Sequence, residues 1–166
     1  MAERFAVELE PGLRVTWDLD EVRAGLGEGE ASTLWRIEGA LGAGHAALRV
    51  LTGMSVEGTI LLIAATRPAD ADGHDSEEPQ AVLINASGDV TRIEEALVST
   101  QYAADGSIDR VGLELYRTGE DYPLRGAGDT ESTAKASHDG HTREGARLAF
   151  RLDGESGTAL YEILHV

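Results

Sequence analysis

Residues 4–20 read RFAVELEPGLRVTWDLD, and the period of this stretch decides the fold. Phe5, Val7 and Leu9 alternate with Arg4, Glu8 and Glu10, and Leu13, Val15, Trp17 and Leu19 alternate with Arg14, Thr16, Asp18 and Asp20. A period of two puts each set on one face of a strand, so each strand has a dry face and a wet face. Glu10-Pro11-Gly12 between them is turn chemistry, and the pair reads as two antiparallel strands.

The same alternation recurs to the far end, where Leu148, Phe150 and Leu152 alternate with Arg147, Ala149 and Arg151. Between the ends, strands are expected at Thr33–Glu38, His45–Leu51, Thr59–Thr66, Ala81–Asn85 and Val90–Thr100. Asp105-Gly106 is a hairpin signal between Gln101–Ala104 and Asp109–Arg117. Tyr122–Ala127, Thr130–Ser137, Arg143–Leu152 and Thr158–Val166 complete the series. About ten strands at this spacing predict an all-β, antiparallel, up-and-down β-barrel built from residues 1–166 as one domain. Glu21–Ser32 is expected to be mostly loop, with a short helical turn at Asp20–Ala24 ended by Gly25 and Gly27. Thr59–Thr66 is apolar on both faces, so it is expected to be covered on both sides or to face a cavity. Residues 67–80, RPADADGHDSEEPQ, hold five acids and no large apolar side chain. They are expected to form a long, mobile, solvated loop.

Composition excludes several functions. The 166 residues carry 14 Lys and Arg against 30 Asp and Glu, a net charge of −16, which opposes nucleic acid and anionic membrane surfaces as partners. With no cysteine there is no disulfide, thiolate nucleophile or zinc–thiolate site. The longest apolar run, Ile60 to Ala65, is too short for a membrane span, and residues 1–12 lack the pattern of a secretory signal. A soluble, cytoplasmic protein is the expectation.

No cluster announces a reaction, and no cofactor or metal is expected. Gly39–Gly44 lacks the Lys-Ser/Thr ending of a phosphate loop and precedes a strand. His138, Asp139 and His141 sit around Gly140 in what reads as a solvated turn, not a metal site. Gly-x-Ser-x-Gly is absent. Among the carboxylates, Glu38 and Glu162 lie on strands, and Glu162 shares its face with Leu160, Leu164 and Val166. A carboxyl buried in a barrel has a raised pKa and suits proton donation. The alternative puts Glu162 in solvent, with Tyr161, Ile163 and His165 facing the core.

The tail, residues 151–162, reads RLDGESGTALYE, and residues 35–41 read WRIEGAL ahead of a glycine turn and a second strand. These segments resemble the closing hairpin and the Trp-containing hairpin of the lipocalin-like (calycin) proteins grouped with AttH and hydroxyneurosporene synthase, a carotenoid hydratase. The resemblance spans Trp35 to Val166, one barrel half. That family's Arg-Asp-x-Ser-Trp-Gly segment has no match here, so hydratase activity does not carry over. What the resemblance implies is a β-barrel with an apolar cavity for an isoprenoid or another lipid-like ligand. Trp35, Ile37, Arg49, Leu61, Ile63, Tyr116 and Glu162 are the candidate lining residues. Two other readings are an isoprenoid- or lipid-modifying enzyme using Glu162 or Glu38, and a non-catalytic interaction protein acting as a homodimer.

Overall fold

The structure, a computed structural model, describes residues 3–27, 34–42, 44–71, 77–138 and 140–166. The opening alternation becomes antiparallel pairing. Strands β1 (Arg4–Glu10) and β2 (Leu13–Asp18) set Phe5 opposite Trp17 and Val7 opposite Val15. Strand β3 (Trp35–Glu38) adds to β2 with Trp35 opposite Trp17 and Ile37 opposite Val15. These three strands form a small sheet with one apolar face.

Between β2 and β3 lies a helix, α1 (Leu19–Gly27), where mostly loop was expected. Asp18 caps it: its Oδ1 accepts from the backbone N–H of Asp20 at 2.9 Å and of Glu21 at 3.2 Å. Leu19, Val22 and Leu26 fall on one helical face and are buried. Gly25 does not end the helix. A Cβ there would stand 2.7 Å from Leu34 Cδ2, so the glycine serves close packing. Residues 28–33 of the expected loop lie outside the described residues.

The remaining nine strands are β4 (His45–Ser55), β5 (Ile60–Pro68), β6 (Gln80–Ile84), β7 (Val90–Arg92), β8 (Glu95–Tyr102), β9 (Ile108–Tyr116), β10 (Leu124–His138), β11 (His141–Leu152) and β12 (Glu155–His165). They form one antiparallel sheet in the order β7-β6-β5-β4-β12-β11-β10-β9-β8. Two up-and-down runs, β4 to β7 and β8 to β12, are joined by the pairing of β12 with β4. The two outermost strands are separated in sequence only by Ile93 and Glu94. Ile93 N–H donates to Ala81 O of β6 at 3.0 Å, and Glu94 N–H to Tyr116 O of β9 at 2.8 Å. The sheet therefore curls into a half-barrel whose two edge strands follow one another in the chain at this break without pairing, where a single strand from Val90 to Thr100 was expected. This is the all-β, antiparallel, up-and-down architecture that the alternation predicts, and its curl is calycin-like, as the resemblance implies. Tyr122–Ala127 and Thr130–Ser137, expected as separate strands, are one strand, β10, with a bulge between Thr130 and Ser132.

Two apolar clusters share the large sheet. Its inward face holds Leu51, Leu61, Ile63, Leu113, Leu115, Leu148, Phe150 and Ile163. Its outward face on β4, β5, β6 and β12 holds Leu48, Val50, Ile60, Leu62, Val82 and Leu160. The three-stranded sheet and α1 cover that outward face with Val15, Trp17, Val22 and Trp35. Strand β5 is apolar on both faces for this reason: Leu61 and Ile63 face the curl, while Ile60 and Leu62 lie under the small sheet.

Candidate functional site

Register makes one end of the curl's interior polar. Arg49 on β4 lies opposite Ile163 on β12, Leu51 opposite Tyr161, and Thr100 on β8 opposite Val111 on β9. Arg49, Tyr161 and Thr100 thus project to the same interior. Arg49 Nη1 donates to Tyr161 Oη at 3.1 Å, and Tyr161 Oη and Thr100 Oγ1 share a hydrogen bond of 2.6 Å. Either hydroxyl can be the donor in that bond. Val98 O stands 3.5 Å from the same Nη1.

The other side of Arg49 is taken by Glu77, whose Oε2 forms an ion pair with Nη2. Glu77 precedes β6, in the acidic stretch expected to be solvated. Instead its side chain has no exposed surface, and Arg49 is only 4% exposed. Residues 72–76 of that stretch lie outside the described residues. A guanidinium and a carboxylate removed from water need each other, because either charge alone would be costly. Burial pushes the Glu77 carboxyl above its ordinary value, and Arg49 and Arg67 act against that push. Burial also pushes up the hydroxyl of Tyr161, so it stays protonated at neutral pH.

A cleft of about 840 Å³ reaches Arg49 and Glu77 and runs along β8, β9 and β10. Ala96, Leu97, Val98 and Leu113 give it apolar wall, and Gly112 and Gly126 also line it. Its charged residues are Arg49, Arg110, Arg125 and Arg151 against Glu77 and Glu114. On a chain with 30 acids and 14 bases, this is a local reversal of sign. Arg110 pairs with Asp129 at 2.7 Å, and Arg125 stands 3.7 Å from Glu114.

The expected lining residues separate into three groups. Arg49, Leu61 and Ile63 face the curl's interior. Trp35, Ile37 and Glu162 belong to the outer layer: the Trp35 indole N–H donates to Glu162 Oε1 at 2.9 Å, and Ile37 packs in the outer cluster. Tyr116 neighbours the inward Leu115 and points outward, donating its hydroxyl to Glu114 Oε2 at 3.0 Å. The two readings of Glu162 are both corrected. Tyr161 and Ile163 do face the interior, but Glu162 is only 8% exposed because the small sheet covers it. Arg143 Nε lies 4.0 Å from Glu162 Oε2, and the Arg143 guanidinium sits 5.0 Å from the Trp35 ring centroid. Glu38, on the edge strand β3, is exposed beside Arg14. Neither carboxylate faces the interior.

Sequence reasoning missed Glu77, Thr100 and Tyr161 as site residues. Parity carried the signal for Tyr161, which shares its face with Ile163. Nothing in the pattern of residues 67–80 distinguishes Glu77 from its four acidic neighbours.

Among the described residues no group of three or more His, Asp or Glu side chains stands together as a metal site, and no helix is long and apolar enough to cross a membrane. His138 and His141 close the β10–β11 hairpin as a strand pair, and Asp139 lies outside the described residues. Comparison with protein-family models and with curated proteins finds no match for the chain.

Proposed function

We propose that the protein is a lipocalin-like binding module for a small, lipid-like molecule, with the ligand's apolar body against β8 and β9 and its polar end toward Arg49. The observation that carries this reading is the cleft of about 840 Å³, which joins apolar strand surface to a buried guanidinium. A volume of this order suits a ligand of lipid or drug size, and few polar groups are needed to orient it. The driving force is removal of apolar surface from water, on the order of 25 cal/mol per Å² buried.

The test is native mass spectrometry of the purified protein with extraction of bound lipid, followed by titration with fluorescent fatty-acid and retinoid probes. Leu97 is half exposed at the cleft wall, so Leu97→Asp leaves the core intact. We expect it to weaken probe binding about tenfold, the equivalent of roughly 1.4 kcal/mol. A folded protein that carries no lipid and binds none of the probes would overturn the reading.

A further inference from the structure

Three of the four polar groups at the interior site are fixed by strands, and one is not. Arg49, Thr100 and Tyr161 sit on β4, β8 and β12 within hydrogen-bonded ladders. Glu77 lies outside any strand, three residues ahead of β6. We propose that Arg49, Tyr161 and Thr100 form a carboxylate-binding site, and that Glu77 is the chain's own occupant of it, displaced when a ligand bearing a carboxylate enters the cleft. The inference rests on the reading of the cleft as a ligand site and names the ligand's polar end.

Three observations carry it. Glu77 and Arg49 both line the cleft, so the ion pair stands where a ligand's polar end would arrive. The Arg49 fork is not fully used: Nε is buried and has no hydrogen-bond partner among the described residues, while Glu77 Oε2 engages Nη2. The Nε–Nη2 edge of a guanidinium is the edge that holds a carboxylate with two parallel bonds. Finally, burial pushes the Glu77 carboxyl above its ordinary value against the pull of Arg49 and Arg67, so its charged form is not held at its best in this pocket. A ligand carboxylate that also buries apolar chain along β8 and β9 gains contacts that Glu77 lacks.

The experiment compares wild type, Glu77→Gln, Glu77→Ala and Arg49→Met in the full chain, with decanoate and with its neutral counterpart decanol at fixed ionic strength. Removing the internal competitor is expected to tighten decanoate binding about tenfold in Glu77→Ala, since an occupied site taxes apparent affinity by its free fraction. Decanol binding stays unchanged, and Arg49→Met loses the preference for decanoate. Glu77→Gln keeps the side chain's volume and an acceptor for Arg49, so it reports the same direction of change if the alanine variant does not fold. Acetate is expected to raise the melting temperature of the Glu77 variants and not that of wild type. Decanol binding with no gain in decanoate affinity in either Glu77 variant would overturn this inference and leave the cleft reading standing. Failure of every folded form to bind either molecule would overturn both.

Discussion

Trp35 on β3 and Glu162 on β12 are 127 residues apart in sequence and joined by a 2.9 Å hydrogen bond from indole N–H to carboxylate. The bond pins the edge strand of the small sheet to the outward face of the curl. Arg143, on β11, approaches both partners and completes the contact. Trp17 makes the parallel link from β2, donating to Thr52 Oγ1 on β4 at 2.9 Å. Polar bonds of this kind give the apolar interface between the sheets a defined register.

From this geometry Trp35→Phe is predicted to lower stability by about 1.5–3 kcal/mol, the range for a lost hydrogen bond to a charged group. Glu162→Gln keeps an acceptor for the indole and is predicted to cost less than Trp35→Phe. Urea unfolding of both single variants and the double variant supplies the measurement. A coupling energy near zero would mean that the bond contributes nothing to holding the sheets together.

The Arg49–Glu77 pair supports a sharper contrast. Arg49→Met leaves a buried carboxylate without its guanidinium, and about 3–5 kcal/mol of stability should be lost. Replacing both residues by Met removes both desolvated charges and should recover most of that loss. Chemical denaturation of the single and double variants checks this. A double variant no more stable than the single would show that Glu77 is not what makes the lone substitution costly.

The architecture was legible because period-two alternation is nearly continuous, and hairpin turns at Gly12, Gly106, Gly140 and Gly154 all adopt positive φ. Helix α1 was legible only in its start: Asp18 and the Leu19, Val22, Leu26 spacing signal it, but Gly25, two residues before its last residue Gly27, mimics a stop. The site was less legible because parity assigns a face without saying what covers it. Glu162 looked like a choice between barrel interior and solvent, and the third possibility, an outward face under a second sheet, is a tertiary fact. Glu77 was hidden for a different reason. Its partner, Arg49, is on another strand, and loop residues obey no periodicity that would single one out.

Glu77 also sets a pH dependence. Its carboxyl is raised above the ordinary 4.5 by burial, with Arg49 and Arg67 opposing. The folded state therefore binds this proton more tightly than the unfolded state does. Its contribution to stability is fully present below the unfolded value and is lost as pH rises through the folded value. Other carboxylates titrate in both wild type and Glu77→Gln, so the difference between the two isolates Glu77. That difference, wild type minus variant, is predicted to fall as pH rises from the ordinary carboxyl value of 4.5 through the raised folded value. Urea midpoints across that range provide the check. A difference that rose with pH would show that the arginines outweigh burial.

The last prediction concerns the seam where β12 meets β4. Gly157 lies opposite Ser55 on β4 and Phe150 on β11. A Cβ at this position would fall 2.1 Å from Met54 O and 2.7 Å from Ser55 Cα, both backbone atoms. No rotamer change relieves a clash with backbone, so one of the two strands must shift. The pairing of β12 with β4 is what joins the two up-and-down runs, and a shift there disturbs both apolar clusters. Gly157→Ala is predicted to cost about 3 kcal/mol, the upper part of the range for overpacking a closed site. Gly44 is the control, because its added Cβ meets nothing within 4 Å among the described residues. Gly44→Ala should be neutral or stabilising by about 0.4–1 kcal/mol through reduced freedom of the unfolded chain. Thermal and urea unfolding of the pair decide the matter: equal stabilities would mean that the β4–β12 seam has room that its geometry denies.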